Sequence, residues 1–233
     1  MINQGLSIVI PTFNEKHNII GLISSIQKIF GYKTYEIIVI DDNSPDGTYN
    51  KIVKEFGNDK KVKTILRKNE RGLGTAILRG IKSSSYPVIV GMDADFNHPP
   101  ETITRLTEEI QSHDLVVASR FIKSGGMEEK KRYLPTLMFN LFLKHILRFP
   151  VSDNTSGFYA VWKNKLLKLP LDDIFRGYGE YHIRLMHYAQ TNNFKITEVP
   201  VYYKKRKYGR SKSNLGKMFL GYLYCALKLR LGK

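Results

Sequence analysis

From Leu6 to Ser119 the chain repeats one pattern, an apolar run of about five residues followed by a longer stretch whose apolar positions recur at helical spacing. The runs are LSIVI (6–10), EIIVI (36–40), VKTIL (62–66), VIVGM (88–92) and DLVVAS (114–119). A sheet with one wet face would alternate apolar and polar residues, so runs this continuous predict parallel strands covered on both faces. The spacing between them predicts helices near 17–29, 48–56, 74–83 and 99–111. Strand and helix in alternation predict an α/β fold built on a doubly wound, mostly parallel sheet.

After Arg120 the alternation lapses. FIKSGGMEEKKRYLP (121–135) reads as a polar loop and TLMFNLFLKHILRF (136–149) as an aromatic-rich helix with scattered basic residues. GFYAVW (157–162) and KITEVPVYY (195–203) read as strands, with a helix over 180–190 between them. KKRKYGRSKSN (204–214) is a basic loop, and the last helix runs over 215–231. The expected organisation is a catalytic domain over 1–212 followed by a basic, amphipathic helical extension over 213–233.

Size and composition narrow the class. A chain of 233 residues, 42% of them hydrophobic, can bury a core without covalent staples. Its lone cysteine, Cys225, excludes an internal disulfide and a multi-cysteine zinc site. No segment offers about 18 uncharged apolar residues, so no membrane span is predicted, and the N-terminal MINQGLSIVI reads as a first strand rather than a leader. Charge divides the chain. Fourteen of the 37 basic and fourteen of the 21 acidic residues precede Arg120, so the remaining 23 basic and 7 acidic residues carry the whole net charge of +16. A neutral half joined to a cationic half implies an anionic partner for the second: nucleic acid, lipid headgroups or a phosphorylated substrate.

Polar residues collect where ligands bind in such sheets, at the carboxyl ends of the strands. Pro11-Thr12-Phe13-Asn14-Glu15, Asp41-Asp42-Asn43-Ser44, Asp93-Ala94-Asp95 and Ser119-Arg120 all follow apolar runs, and no G-x-G-x-x-G follows the first. Asp93 and Asp95, two apart in an extended segment, point the same way and suit Mg²⁺ or Mn²⁺, which takes one or two carboxylates and completes its shell with water and phosphates. Against this, Asp95 also suits a helix cap or a turn. Asn97 and His98 are further candidate ligands. Pro45-Asp46-Gly47 is explained as a turn, but turn formation needs neither Asp41 nor Asp42, and a carboxylate there suits a base or ribose. Gly72-Leu73-Gly74-Thr75 opens a helix, either as an anion cradle or as a simple cap. Arg120, Arg132, Arg206 and Lys212 supply cations for phosphate oxygens, and Tyr202, Tyr203 and Tyr208 interleave with the last basic run.

SIVIPTFNE, IVIDDNSPDGT, GLGTA, DADFNHPPE, VVASRF, DNTSGFYAV and KRKYGRSK, in this order, resemble the inverting family-2 glycosyltransferases of the GT-A type, and most closely the dolichyl-phosphate mannosyltransferases and polyprenyl-phosphate sugar synthases. The resemblance implies that Pro11, Glu15 and Asp42 contact the nucleoside and that Asp93 and Asp95, with Asn97, hold Mg²⁺ or Mn²⁺ against the donor's diphosphate. It further implies that Arg120, Arg132, Arg206 and Lys212 engage donor or acceptor phosphates. Asn97 stands where the family has a glutamine, Asn154 stands in place of a proline, and GYGEYHI departs from the common form.

The expected reaction moves a hexose, mannose from GDP-mannose in the first instance, from a GDP- or UDP-sugar to a polyprenyl or dolichyl phosphate with inversion. The enzyme would sit on the cytoplasmic membrane surface, bound peripherally or through a membrane-anchored subunit, by way of the helices at 136–149 and 215–231. A lipid phosphate, with a second pKa of about 6, attacks without losing a proton. A sugar hydroxyl needs a base, for which Glu180 and Asp153 are the candidates. Transfer to a glycan or protein hydroxyl is therefore the first rival. A basic nucleic-acid-binding module is the second, disfavoured by the clustered aspartates, which repel phosphate.

Overall fold

The computed structural model describes residues 5–31, 33–206, 208 and 215–232. Among them the alternating units run β1 (Leu6–Thr12), α1 (Ile19–Phe30), β2 (Tyr35–Asp41), α2 (Thr48–Phe56), β3 (Val62–Leu66), α3 (Leu73–Ser83), β4 (Val88–Gly91), α4 (Thr102–Glu109) and β5 (Leu115–Ser119). The second half adds β6 (Gly126–Met127), α5 (Lys130–Leu147), β7 (Tyr159–Trp162), the short α6 (Lys163–Leu166) and α7 (Leu171–Ile174), α8 (Glu180–Thr191), β8 (Ile196–Pro200), β9 (Tyr202–Tyr203) and α9 (Leu215–Arg230).

Seven strands form one sheet in the order β3-β2-β1-β4-β7-β5-β8, and β6 pairs with β9 in a separate ribbon. All neighbours in the large sheet are parallel except around β7, which runs antiparallel to both β4 and β5. The continuous apolar runs are explained by cores on both faces. Ile8 and Ile10 of β1, Ile37 and Val39 of β2 and Val90 of β4 join Leu22, Ile26 and Ile103 on one side. Val9, Ile38, Ile40 and Ile89 join Ile77 and Ile81 of α3 on the other. Gly80 lets α3 lie close on the sheet, since a Cβ there would collide with Val9 and Ile40.

The structure departs from the sequence expectation at three places. The segment read as a loop over 121–135 contains β6 and the first turns of α5, because KKRYL favours helix. Pro135, the sixth helical residue, forgoes only its own backbone hydrogen bond. The strand read over 195–203 is two. Pro200 has no N–H to continue the ladder, while Val201 donates to Ser119 O at 3.0 Å and its carbonyl accepts from Gly126 N, also at 3.0 Å, which transfers the chain to the β6 ribbon. Finally, the helix expected as an extension inserts Tyr222, Cys225 and Ala226 into the same apolar cluster as α3, α5 and α8. The boundary expected at 212–213 lies outside the described residues.

Candidate active site

Strand ends β1, β2, β4 and β5 open toward two depressions. The first, about 440 Å³, is bordered by Phe13, Asp42, Asn43, Pro45, Lys68 and Arg71 among others. Asp42 stands just past β2 and both its oxygens are engaged. Arg67 donates from Nε to Oδ1 at 2.7 Å, and Gly72 N donates to Oδ2 at 2.9 Å. Gly72 holds φ at 146°, a left-handed value that a side chain would resist. Arg67 also reaches Thr75 Oγ1 and Gly72 O, each at 2.9 Å, so one guanidinium fork ties the ends of β2 and β3 to the start of α3. The glycines at this helix start thus serve the fold: Gly72 N meets Asp42, and Gly74 N meets Gly177 O at 3.1 Å. Asp41 is a turn acid, accepting from Ser44 N, Ser44 Oγ and Thr12 Oγ1.

The second cavity, about 400 Å³, gathers Asp93, Asp95, Asn97, Arg120, Arg132 and Arg206 from β4, β5, α5 and the segment after β9. Asp95 is 3% exposed. It accepts from Asn97 N at 3.1 Å, from Asn97 Nδ2 at 2.9 Å and from Arg206 Nη2 at 2.6 Å. Arg206 reaches Glu15 Oε1 as well, at 3.5 Å, so it bridges two acids. Asp93 differs. Among the described residues no donor reaches its carboxylate within hydrogen-bond distance, and the nearest cationic candidate is His98 Nε2 at 3.7 Å. Its side chain keeps 45% of its surface open to the cavity, yet protein packs closely around it. That burial, and then Asp95 beside it, push the Asp93 pKa up to about 8, with Arg206 opposing.

His98 is not a ligand in this arrangement. It is 1% exposed, its Nδ1 accepts from Asp93 N at 2.8 Å, and its ring stacks on Phe158 at 4.8 Å. Burial depresses it to about 4, so it is neutral with its proton on Nε2, and it fixes the backbone of the strand end.

Arg120 and Asp153 form a buried fork: Nε to Oδ2 and Nη2 to Oδ1, both at 2.7 Å, with Arg120 N donating to the same carboxylate at 3.0 Å. Burial acts to lower the guanidinium pKa and Asp153 more than offsets it, leaving it raised. The Tyr203 ring lies 4.7 Å below the guanidinium carbon. Arg132, in the first turn of α5, pairs with Glu129 at 3.2 Å on the cavity wall.

The sequence-predicted residues therefore divide. Asp93, Asp95, Asn97, Arg120, Arg132 and Arg206 meet at one cavity, and Asp42 borders the other. Glu15 is 7% exposed and joins the cluster through Arg206 and Asn18. Pro11 lies in β1 and borders neither depression. Glu180 is also outside the cavity wall, where its Oε2 accepts from Tyr178 N at 2.8 Å. Asp153, the other candidate base, is committed to Arg120. Lys212 lies outside the described residues. Sequence reasoning missed Arg67, although its place directly after VKTIL was the available signal, and it missed Tyr203 as the platform under Arg120.

The donor set fits a hard divalent cation. No group of three or more His, Cys, Asp or Glu side chains is placed to hold a metal among the described residues. Two carboxylates are what Mg²⁺ or Mn²⁺ takes when water and substrate phosphates supply the remaining oxygens, and no donor among the described residues reaches that of Asp93 within hydrogen-bond distance.

Comparison with known proteins gives the family and the fold. At 34% identity over 223 residues, the dolichol-phosphate mannosyltransferase of Pyrococcus furiosus matches 94% of this chain, which spans 61% of that protein's length. A polyprenol monophosphomannose synthase of Mycolicibacterium smegmatis is 30% identical, covering 90% of this chain and 81% of that protein. Among solved structures, glucosyl-3-phosphoglycerate synthase of Mycobacterium tuberculosis in complex with Mn²⁺, uridine diphosphate and phosphoglyceric acid superposes with a TM-score of 0.76 at 20% identity, over 98% of this chain and 79% of that one. The same enzyme with Mg²⁺ and uridine diphosphate also gives 0.76, at 21% identity and over 99% and 80% of the two chains. At such identities the likeness establishes the fold, which is GT-A. The sequence model described as glycosyl transferase family 2 matches residues 7–169, and together with the Mycolicibacterium relative it shows that this chain belongs to that family.

Proposed function

We propose that this chain is a metal-dependent inverting glycosyltransferase that moves mannose from GDP-mannose to a polyprenyl or dolichyl phosphate at a membrane surface. The observation that carries the reading is the make-up of the cavity that holds Asp93 and Asp95. One wall holds the two aspartates and three arginines, and another is built from Phe139, Met218, Phe219 and Tyr222 of α5 and α9. A phosphate tethered to an apolar chain meets both kinds of wall. The names of the two relatives support the same chemistry.

Asp93 and Asp95, with the Asn97 carbonyl as a further oxygen, would hold Mg²⁺ or Mn²⁺. An ion held there would supply positive charge to offset that of the diphosphate leaving group. Arg120, kept straight by Asp153, and Arg132 and Arg206 present guanidinium groups to phosphate oxygens. A lipid-phosphate oxygen forms the new bond to the anomeric carbon as the bond from that carbon to the diphosphate oxygen breaks, and no proton leaves the nucleophile. That Asp153 and Glu180 are already committed supports a phosphate acceptor over a hydroxyl one, which needs a free base.

No helix of the described residues is long and apolar enough to cross a membrane. Instead α5 exposes Leu134, Met138 and Leu141, and α9 exposes Leu220, Tyr224 and Leu227, with Lys130, Lys131, Lys228 and Arg230 on the same helices. Apolar side chains interspersed with cations suit an anionic lipid surface. A membrane-anchored subunit is the other occupant that this surface fits.

Two measurements test the reading. Incubation with labelled GDP-mannose, Mn²⁺ and polyprenyl phosphate is expected to move label into organic solvent, and label found only in water-soluble glycan rejects the lipid acceptor. Changing both Met138 and Leu220 to Glu is expected to lower binding to anionic vesicles about tenfold without altering the melting temperature.

A further inference from the structure

Two neutral polar side chains lie behind the charged walls of the cavity with no role in the chemistry above. His182, in the first turn of α8, is 1% exposed and borders the cavity, and neither of its ring nitrogens has a hydrogen-bond partner among the described residues. The Tyr159 hydroxyl, at the start of β7, is likewise buried without a partner, and the two rings lie 5.6 Å apart. Burial lowers His182 to about 4, with Asp153 and Arg120 acting on it in opposite directions, so it is neutral and offers one N–H donor and one bare nitrogen. His98 shows the contrast, because its Nδ1 is satisfied by Asp93 N and its place is structural.

Buried polar atoms without partners cost stability, and a fold retains them where something else supplies the bond. The occupants expected in this cavity are a diphosphate, a hexose and a lipid phosphate. Phosphate oxygens only accept and are met by the arginines. The lipid chain offers no polar atom. A pyranose hydroxyl both donates and accepts, as the neutral imidazole does.

We infer that His182 hydrogen-bonds a hydroxyl of the donor hexose and so reads the sugar rather than the nucleotide. This rests on the glycosyl transfer proposed above. Tyr159 packs beside the imidazole without lining the cavity itself. His182 on this account is a specificity-determining contact, and an ordered water in its place is the competing explanation.

Titration calorimetry with Mn²⁺ present, using GDP-mannose and GDP in parallel, separates the two. His182→Leu is expected to weaken GDP-mannose roughly tenfold and to leave GDP within about twofold. His182→Phe, which keeps a ring but no polar atom, is expected to do the same and carries the test if leucine is not tolerated. Because either change removes an unpartnered imidazole, the melting temperature of the unliganded protein is expected to stay level or rise. Unchanged GDP-mannose affinity, or equal losses for GDP-mannose and GDP, overturns the inference and leaves the transferase reading intact. Failure of the unsubstituted protein to bind GDP-mannose overturns the GDP-mannose reading first, and this inference with it.

Discussion

Asp42 and Asp95 occupy equivalent places, each just past a parallel strand and each within hydrogen-bond reach of an arginine, yet the two pairs are built differently. Arg67 comes from the neighbouring strand end, its side chain is 3% exposed, and it also bonds Thr75 and the Gly72 carbonyl. Arg206 comes from a segment 111 residues away from Asp95, its side chain is 23% exposed, and it borders the cavity while reaching toward Glu15. The first pair is held by several bonds within the fold. The second lies on the wall of a binding site, where a metal and a diphosphate bring charges that can take over from it. An acid at a strand end is thus not informative by itself, and the origin and exposure of its partner separate scaffold from site.

The largest effect that would sharpen this contrast is expected from Asp95→Ala. Loss of a cation-holding carboxylate should lower kcat for mannosyl transfer at least about a thousandfold, ~4 kcal/mol of barrier, while thermal melting changes little. A drop in melting temperature matching the loss of activity would place Asp95 in the framework with Asp42. Next, Arg67→Met should cost roughly 3 kcal/mol in urea unfolding, because it leaves the Asp42 carboxylate buried with a single donor. Smallest is the stability effect of Arg206→Met, expected to be under about 1 kcal/mol since its guanidinium is partly solvated. The same change should weaken sugar-nucleotide binding measurably. If Arg67→Met and Arg206→Met destabilise alike, the distinction between a fixed and an exchangeable pair fails.

The parts of the site that were readable in advance share a cause. Asp93 and Arg120 directly follow apolar runs, with Asp95 two residues further on, and a run buried on both faces can only deliver its polar successor to the sheet's edge. Arg132 and Arg206 were identifiable from the family resemblance, but their meeting at one cavity was not, since α5 and the segment after β9 approach it from opposite ends of the second half. Arg67 went unnoticed because its partner is set by register: pairing Leu66 with Asp41 brings the next residues, Arg67 and Asp42, together. His182 was unreadable for a different reason. EYHIRLMHYA has ordinary helical spacing, and nothing local tells whether an imidazole on such a helix will find a partner. Glu180 illustrates the converse, a residue whose type suggested a base and whose helix-start position made it an acceptor for Tyr178 N.

By itself the sequence determined the strand and helix pattern, the sheet's burial on both faces, the acidic strand ends and the concentration of positive charge after Arg120. Those are properties of residue order and composition, and they follow from periodicity and from the rule that apolar surface is withdrawn from water. Only the tertiary structure decided that β7 enters antiparallel between β4 and β5, that Arg120 is forked by Asp153, that Arg206 bridges Glu15 and Asp95, and that no donor among the described residues reaches the Asp93 carboxylate. Each of these depends on contacts between residues far apart along the chain, where the energy of a charge is set by its neighbours in space and by its access to water.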